Sequence, residues 1–308
     1  MNEKMKRRKR AILISIVAIL ALALITFLNR EWLMYRGMNF VFSLQTEPIL
    51  GQYQYERQSI NVDIDGQSIY GVAFIPQREQ PVPLVLIAHG LGGTHTMNIN
   101  YARSVASHGV AAYIFDFRGG SVNSRSDGLT TEMSIKTQAD DIEAIMYAAS
   151  NWDFVDINSI VLVGVSQGGY AAAIAAMHRP DEVAGLVMIC PAFVANTVIY
   201  DMFSSREEIP QEFNLMGWIN VGHNYAYDIW GFDIFNEITN YTGPVLLIHG
   251  DADDIVDISY SERAAEAYEN AELRVIPGAG HAILGDGFTQ TVNYILDFLA
   301  YIGIISRG

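Results

Sequence analysis

Apolar and polar positions change period along this chain, and each change predicts an element. Along "SINVDIDGQSIYGVAFI" (59–75) apolar and polar residues alternate on both sides of Asp65-Gly66. That is the pattern of two half-buried strands joined by a tight hairpin. Continuous apolar runs follow at "PLVLIAHG" (83–90), "VAAYIFDFRGG" (110–120), "SIVLVGV" (159–165), "AGLVMICP" (184–191), "GPVLLIHG" (243–250) and "AELRVIPG" (271–278). Runs this short suit strands buried on both faces. Helical spacing appears between them. "NYARSVASHG" stops at Gly109, "SIKTQADDIEAIMYAASN" (134–151) has Ser134 as its candidate N-cap, and an Ala-rich run ends at Met177. "SYSERAAEAYEN" (259–270) and "FTQTVNYILDFLAYI" (288–302) complete the helical set. Strands alternating with helices predict an α/β fold: a mostly parallel sheet, helices on both faces, and the hairpin as an antiparallel edge.

Two stretches break the alternation. Residues 192–242 carry eleven aromatics and none of the core-strand pattern. An interruption of that length inside a compact domain predicts an insertion with a role, here a cap over the C-terminal edge of the sheet. Most of its aromatics are expected to hold the insert together, and a few to face a site beneath. At the other end, residues 1–10 form a basic tail and "AILISIVAILALALITFL" (11–28) has no charge in 18 residues. A helix of that length just spans a bilayer core, and the basic flank should stay cytoplasmic. The expected organisation is a cytoplasmic tail (1–10), a signal anchor (11–28), an aromatic connector (29–55) and a catalytic body (56–303) outside the membrane. Trp32 and Tyr35 fall at the outer interface in this arrangement. A cleaved signal peptide is the competing reading, although the small-x-small "ALA" at 21–23 sits inside the apolar run.

Charge narrows the function classes. The 308 residues carry a formal charge of −15, and the first ten contribute +5, which leaves −20 for the rest. A body this acidic repels phosphate backbones, so nucleic acid is an unexpected partner. Cys190 is the single cysteine, so neither an intramolecular disulfide nor a cysteine-built zinc site is expected. Its apolar surroundings predict a buried small hydrophobe.

The candidate chemistry starts at "GVSQG", Gly164 to Gly168, which matches the G-x-S-x-G pattern between a β-rich run and an Ala-rich helix. A serine in such a turn projects its Oγ at a helix N-terminus, and the flanking Gly164 and Gly168 permit the close backbone approach. Ser166 is the candidate nucleophile; a serine there excludes the dehalogenase variant, which needs a carboxylate. A hydroxyl needs a base, and His281 in the glycine-rich loop "PGAGHAILG" is the candidate. In this chain order the acid lies between nucleophile and base, which points to "HGDADDIVD" (249–257) and its four aspartates. The N–H of Gln167 and of Leu91, in the strand-end loop "HGLGG", are the candidate oxyanion donors. His89, with Gly90 in that loop, and His249 each precede a glycine at a strand end, where a structural or an oxyanion-loop supporting role is expected. Arg118 either meets a substrate anion or braces its loop. The aspartate run fails as a calcium loop, because counting from Asp251 puts Ile255 and Val256 at the fifth and sixth positions.

"AHGLGG", "DFRGGSVNS", "GVSQGGYAAAIAA", "YTGPVLLIHGDADDIV" and "IPGAGHAI" together resemble bacterial feruloyl/cinnamoyl esterase-like and serine aminopeptidase-like hydrolases of the α/β-hydrolase superfamily. The resemblance covers about residues 56–303 and implies that fold. In its H-G-x-x-D pattern the acid falls on Asp253, with Asp254 as the fallback; it likewise implies Leu91 and Gln167 as oxyanion donors and a cap in the long insert. The expected function is a serine hydrolase that cleaves small-molecule or lipid-like carboxylic esters without a cofactor or metal. A peptidase or acyltransferase with the same triad, and a catalytically silent binding protein on the same fold, are the alternatives. Oligomeric state and natural substrate are not legible.

Overall fold

The computed structural model describes residues 46–306. The expected basic tail, the anchor at 11–28 and the connector up to residue 45 lie outside the described residues. Among the described residues no helix is long and apolar enough to cross a membrane.

The chain begins its sheet with a hairpin. β1 (Tyr55–Ile64) and β2 (Gln67–Pro76) pair antiparallel, with Ile64 opposite Gln67. Asp65 (φ 52°) and Gly66 (φ 77°) form the two-residue connection. Two successive left-handed residues match the twist of the flanking strands, and Asp-Gly accepts that conformation at low cost. The alternating units follow: β3 (Val82–Ala88), α1 (Ile99–Ser107), β4 (Ala111–Phe115), α2 (Ile135–Ala149), β5 (Val155–Val165), α3 (Gln167–His178) and β6 (Gly185–Ile189). After the insertion come β9 (Val245–Gly250), α7 (Ser259–Ala267), β10 (Ala271–Ile276) and α8 (Asp286–Tyr301). The sheet order is β1-β2-β4-β3-β5-β6-β9-β10. β1 and β2 are antiparallel to each other and β2 to β4, and all other neighbours are parallel. The sequence-predicted α/β class and antiparallel edge are those observed.

Each buried strand supplies two cores because its side chains alternate between faces. On β5, Leu162 packs with α2 and α3 on one face, whereas Val161 and Val163 pack with α1 and α8 on the other. α3 is buried from Gln167 to Met177. Its run of alanines lets the helix lie close against β5, and this fixes where its first turn meets the strand end.

The insertion holds short helices, α4 (Ala195–Met202), α5 (His223–Tyr227) and α6 (Ile234–Glu237), and a separate hairpin of β7 (Glu212–Leu215) and β8 (Ile219–Gly222). That hairpin was not anticipated; its turn at Met216 (φ 52°) and Gly217 (φ 81°) lies in "NLMGW", where a methionine takes the left-handed position. The aromatics bind one another, as in Tyr200–Trp230 at 4.9 Å and Phe203–Phe213 at 5.2 Å between centroids.

The cap of α2 is among the contacts that tie the insertion to the body. Ser134 caps α2, accepting from the Thr137 N–H at 3.2 Å while Thr137 Oγ1 accepts from the Ser134 N–H at 2.8 Å. The same Ser134 hydroxyl donates to Asp228 at 2.6 Å. Ser134→Ala should therefore cost about 1–2 kcal/mol. In a thermal scan that is a fall in Tm of roughly 2–6 °C; an unchanged Tm would show that this cap carries no load.

Candidate active site

Ser166 sits between the end of β5 and the start of α3 with φ 54° and ψ −120°. A residue with a Cβ reaches this region only under strain. The surroundings leave it no alternative. A Cβ on Gly164 would lie 2.3 Å from the Gly168 carbonyl oxygen, and one on Gly168 would lie 2.5 Å from the His89 carbonyl oxygen. The turn, the first turn of α3 and the loop after β3 thus touch backbone to backbone. The Ser166 N–H donates to the Ile189 carbonyl at 2.8 Å, and the Ser166 carbonyl accepts from the Gly169 and Ala192 N–H groups at 2.9 and 3.0 Å.

His281 follows β10. Its Nε2 lies 2.9 Å from Ser166 Oγ, and its Nδ1 lies 2.8 Å from Asp253 Oδ2. Asp253 follows β9 with a fully buried side chain. Its Oδ1 accepts from the Ile255 and Val256 N–H groups, both at 2.9 Å. Its Oδ2 also meets His249 Nε2 at 3.1 Å. Burial alone would raise the Asp253 pKa, but the hydrogen bonds from His249, His281 and Val256 outweigh it. The carboxyl is held far below the usual carboxylate range and stays ionised.

The other aspartates of the run are occupied elsewhere. Asp251 accepts from the Gly278 N–H at 2.5 Å and ties the β9 loop to the β10 loop. Asp257 accepts from the Ser259 N–H at 2.9 Å at the start of α7. Asp254 is exposed, and the carboxylate that meets His281 is that of Asp253.

The loop after β3 reaches the same point. Gly90, Leu91 and Gln167 line the cavity beside Ser166. Gln167 is the first residue of α3, so its N–H is free of an intrahelical acceptor. His89 accepts the Phe117 N–H on Nε2 at 3.2 Å, which leaves Nδ1 as the donor to the Gly90 carbonyl at 2.8 Å. Burial lowers its pKa, so a neutral ring clamps this loop. Arg118 is engaged away from the cavity, donating to Asp141 at 2.6 Å and to Gln67 at 2.8 Å; it braces its loop.

Sequence reasoning gave His249 only a general structural role and did not single out His95. His249 is the second imidazole on Asp253. Its Nε2 faces two acceptors, Asp253 Oδ2 and the Val256 carbonyl, and so carries a proton, while its Nδ1 meets Ser261 Oγ at 2.7 Å. His95 meets the buried Asp116 through both its backbone N–H (2.6 Å) and its Nδ1 (2.7 Å), which pins the loop after β3 to the end of β4. His249 stands in the motif H-G-x-x-D itself; His95 and Asp116 are 21 residues apart and carry no local signal.

The cavity at Ser166 holds about 370 Å³, and its walls include Val198, Trp218, Tyr225, Met216 and Ile255. None of its lining residues is Asp, Glu, Lys or Arg. Tyr225 reaches from the insertion to donate to the Gln167 side chain at 2.5 Å. Among the described residues Cys190, Asp253 and His281 bring three potential ligand atoms within 4.8 Å of one another. Burial pushes the Cys190 thiol up to about 12, and the other two groups are already bonded to each other. That donor set is unsuited to a cation, which would need a thiolate.

A strained serine on a strand–helix turn, an imidazole behind it and a sheet of this order define a serine hydrolase of the α/β-hydrolase fold. The family model for the prolyl oligopeptidase family matches residues 96–302, and the chain belongs to that family. The quorum-quenching protein AidA of Acinetobacter baumannii is 29% identical over 136 residues, which is 43% of either chain, so the match spans less than half of that relative's length. The monoacylglycerol lipase ABHD6 of Bos taurus is 22% identical, with 81% of this chain and 86% of the relative covered. Among solved structures, ferulic acid-bound Est1E from Butyrivibrio proteoclasticus superposes with a TM-score of 0.71 at 25% identity, covering 79% of this chain and 98% of the other.

The geometry separates the carboxylates by experiment. Asp253→Asn should lower kcat by about 10³- to 10⁴-fold with the fold intact, whereas Asp254→Asn should stay within about twofold. Circular dichroism and steady-state kinetics check both. The pH dependence has a definite sign. The native Asp253 pKa lies below the unfolded value of about 3.9, so its stabilisation is complete above that pH and is lost as pH falls through the native pKa. Wild type should lose stability below about pH 4 more steeply than Asp253→Asn, as read by urea unfolding at several pH values.

Proposed function

We propose that this protein hydrolyses uncharged carboxylic esters with an apolar acyl or alcohol group, through an acyl-enzyme on Ser166. The observation that carries the reading is His281, hydrogen-bonded to Ser166 Oγ at 2.9 Å and to Asp253 at 2.8 Å. His281 Nε2 takes the Ser166 proton as Oγ attacks the acyl carbon. The Leu91 and Gln167 N–H groups receive the developing oxyanion. Asp253 holds the imidazole in the Nδ1–H tautomer and stabilises the imidazolium. His281 then protonates the departing alkoxide, and the alcohol leaves. Water enters, loses a proton to His281 and releases the acid by the same route. Nucleophile, base and oxyanion donors are all supplied by the chain, so the chemistry needs neither cofactor nor metal.

A peptidase is the second reading, and the family match favours it. The wall of the cavity argues for the ester: it offers no carboxylate for a peptide amino terminus and no cation for a carboxy terminus. An acyltransferase would share every step up to the acyl-enzyme. A silent binding protein would have no use for a strained serine bonded to a base. For location, we read residues 11–28 as an anchor with the catalytic body outside; the basic tail and the uncharged apolar run support this. Signal cleavage would instead give a secreted protein.

With the full chain in detergent, kcat/KM for p-nitrophenyl butyrate and hexanoate should exceed that for aminoacyl p-nitroanilides by at least about a hundredfold. Ser166→Ala should reduce ester turnover to background. Anilides turned over faster than esters would favour the peptidase.

A further inference from the structure

We infer that the mouth of the catalytic cavity faces the bilayer that holds residues 11–28, and that the substrate is an uncharged ester dissolved in that bilayer. This rests on the ester and anchor readings above. What it adds is an orientation, a docking surface and the phase from which substrate arrives.

The point where the chain enters the body favours this orientation. Asn100 donates to the Thr46 carbonyl at 2.7 Å, the Ile49 N–H donates to Ser104 at 3.0 Å, and the Gly51 N–H donates to Ser107 at 2.9 Å. Residues 46–51 therefore run along α1 from its first turn to its last. α1 follows β3 in a parallel sheet, so its first turn stands at the C-terminal edge, beside Ser166. Met97, three residues before Asn100, is itself in the cavity wall. The segment preceding Thr46 thus joins the body at the catalytic edge, not the opposite one. The connecting residues 29–45 number 17, and even fully extended they reach no more than about 60 Å.

The surface at that edge fits lipid. Met216, at the turn of the β7–β8 hairpin, is 51% exposed and Ile255 is 49% exposed, and both also line the cavity. Met202 is 39% exposed, one helical turn beyond the wall residue Val198 on α4. Exposed apolar side chains grouped around an apolar opening mark a surface that another apolar phase covers. Ile157, 50% exposed near the start of β5, stands at the opposite edge of the sheet. An ester partitioned into the bilayer would pass from lipid to Ser166 without crossing a charged wall.

The test uses the full chain in phosphatidylcholine vesicles containing brominated phosphatidylcholine. Cys190 is buried, so a bimane label reacts with one introduced cysteine, Met216→Cys or Ile157→Cys. Bimane at position 216 should be quenched at least about twofold more than at 157. Equal quenching, or stronger quenching at 157, would overturn the orientation, as would a chain recovered free of the vesicles. In parallel, Met202→Glu should lower turnover of vesicle-dissolved 4-methylumbelliferyl oleate by about fivefold or more, with aqueous 4-methylumbelliferyl butyrate unchanged. Equal effects on both esters, or no effect, would overturn the docking surface. Loss of Ser166-dependent hydrolysis of the aqueous butyrate would count against the ester reading instead, and the bimane result would still decide the orientation.

Discussion

The backbone of Ser166, held at φ 54°, is the constraint on which the rest depends. Such a conformation costs on the order of 1–3 kcal/mol. It persists because α3 is buried along nearly its whole length and cannot part from β5 without exposing the core between them. The close approach at Gly164 and Gly168 follows from that packing. One turn therefore aims Oγ into the cavity, puts the Gln167 N–H beside it, and brings the loop after β3 within reach of the same point. Strain at this residue and stability of the sheet centre are two sides of one arrangement.

The second requirement is an acid that does not move. Asp253 meets four donors: two backbone N–H groups, His249 and His281. His249 is itself fixed by Ser261, so the carboxylate has a rigid back wall. This explains how a loop with four aspartates yields a single reactive direction. Asp251 and Asp257 are spent on turns, and Asp254 is exposed. The side facing Ser166 is otherwise uncharged, which leaves imidazole, hydroxyl and amide dipoles as the polar groups that a bound ester meets.

Much of this was legible in the sequence where the signal is local. Asp65-Gly66 sets the hairpin by its own backbone preference, and the buried strands announce themselves as apolar runs. The strand–serine–helix turn needs its glycines in place, so the motif and its cause are adjacent in the chain. The acid was different. Spacing narrowed it to a run of four carboxylates, and only the resemblance to known esterases pointed to Asp253. The supports that depend on side chains meeting across the fold, such as His95 with Asp116, left no periodic trace. The β7–β8 hairpin escaped for a local reason: its turn puts Met216 in a left-handed conformation that sequence rules reserve for Gly, Asn or Asp.

The most direct test of the central claim, that Ser166 is a nucleophile activated by His281, is covalent. A fluorophosphonate should modify the folded protein at one site, and peptide mass spectrometry should locate the adduct on the segment containing Ser166. His281→Ala should slow that labelling by at least about a hundredfold. An adduct on another residue, or labelling of Ser166 at the same rate without His281, would contradict the account.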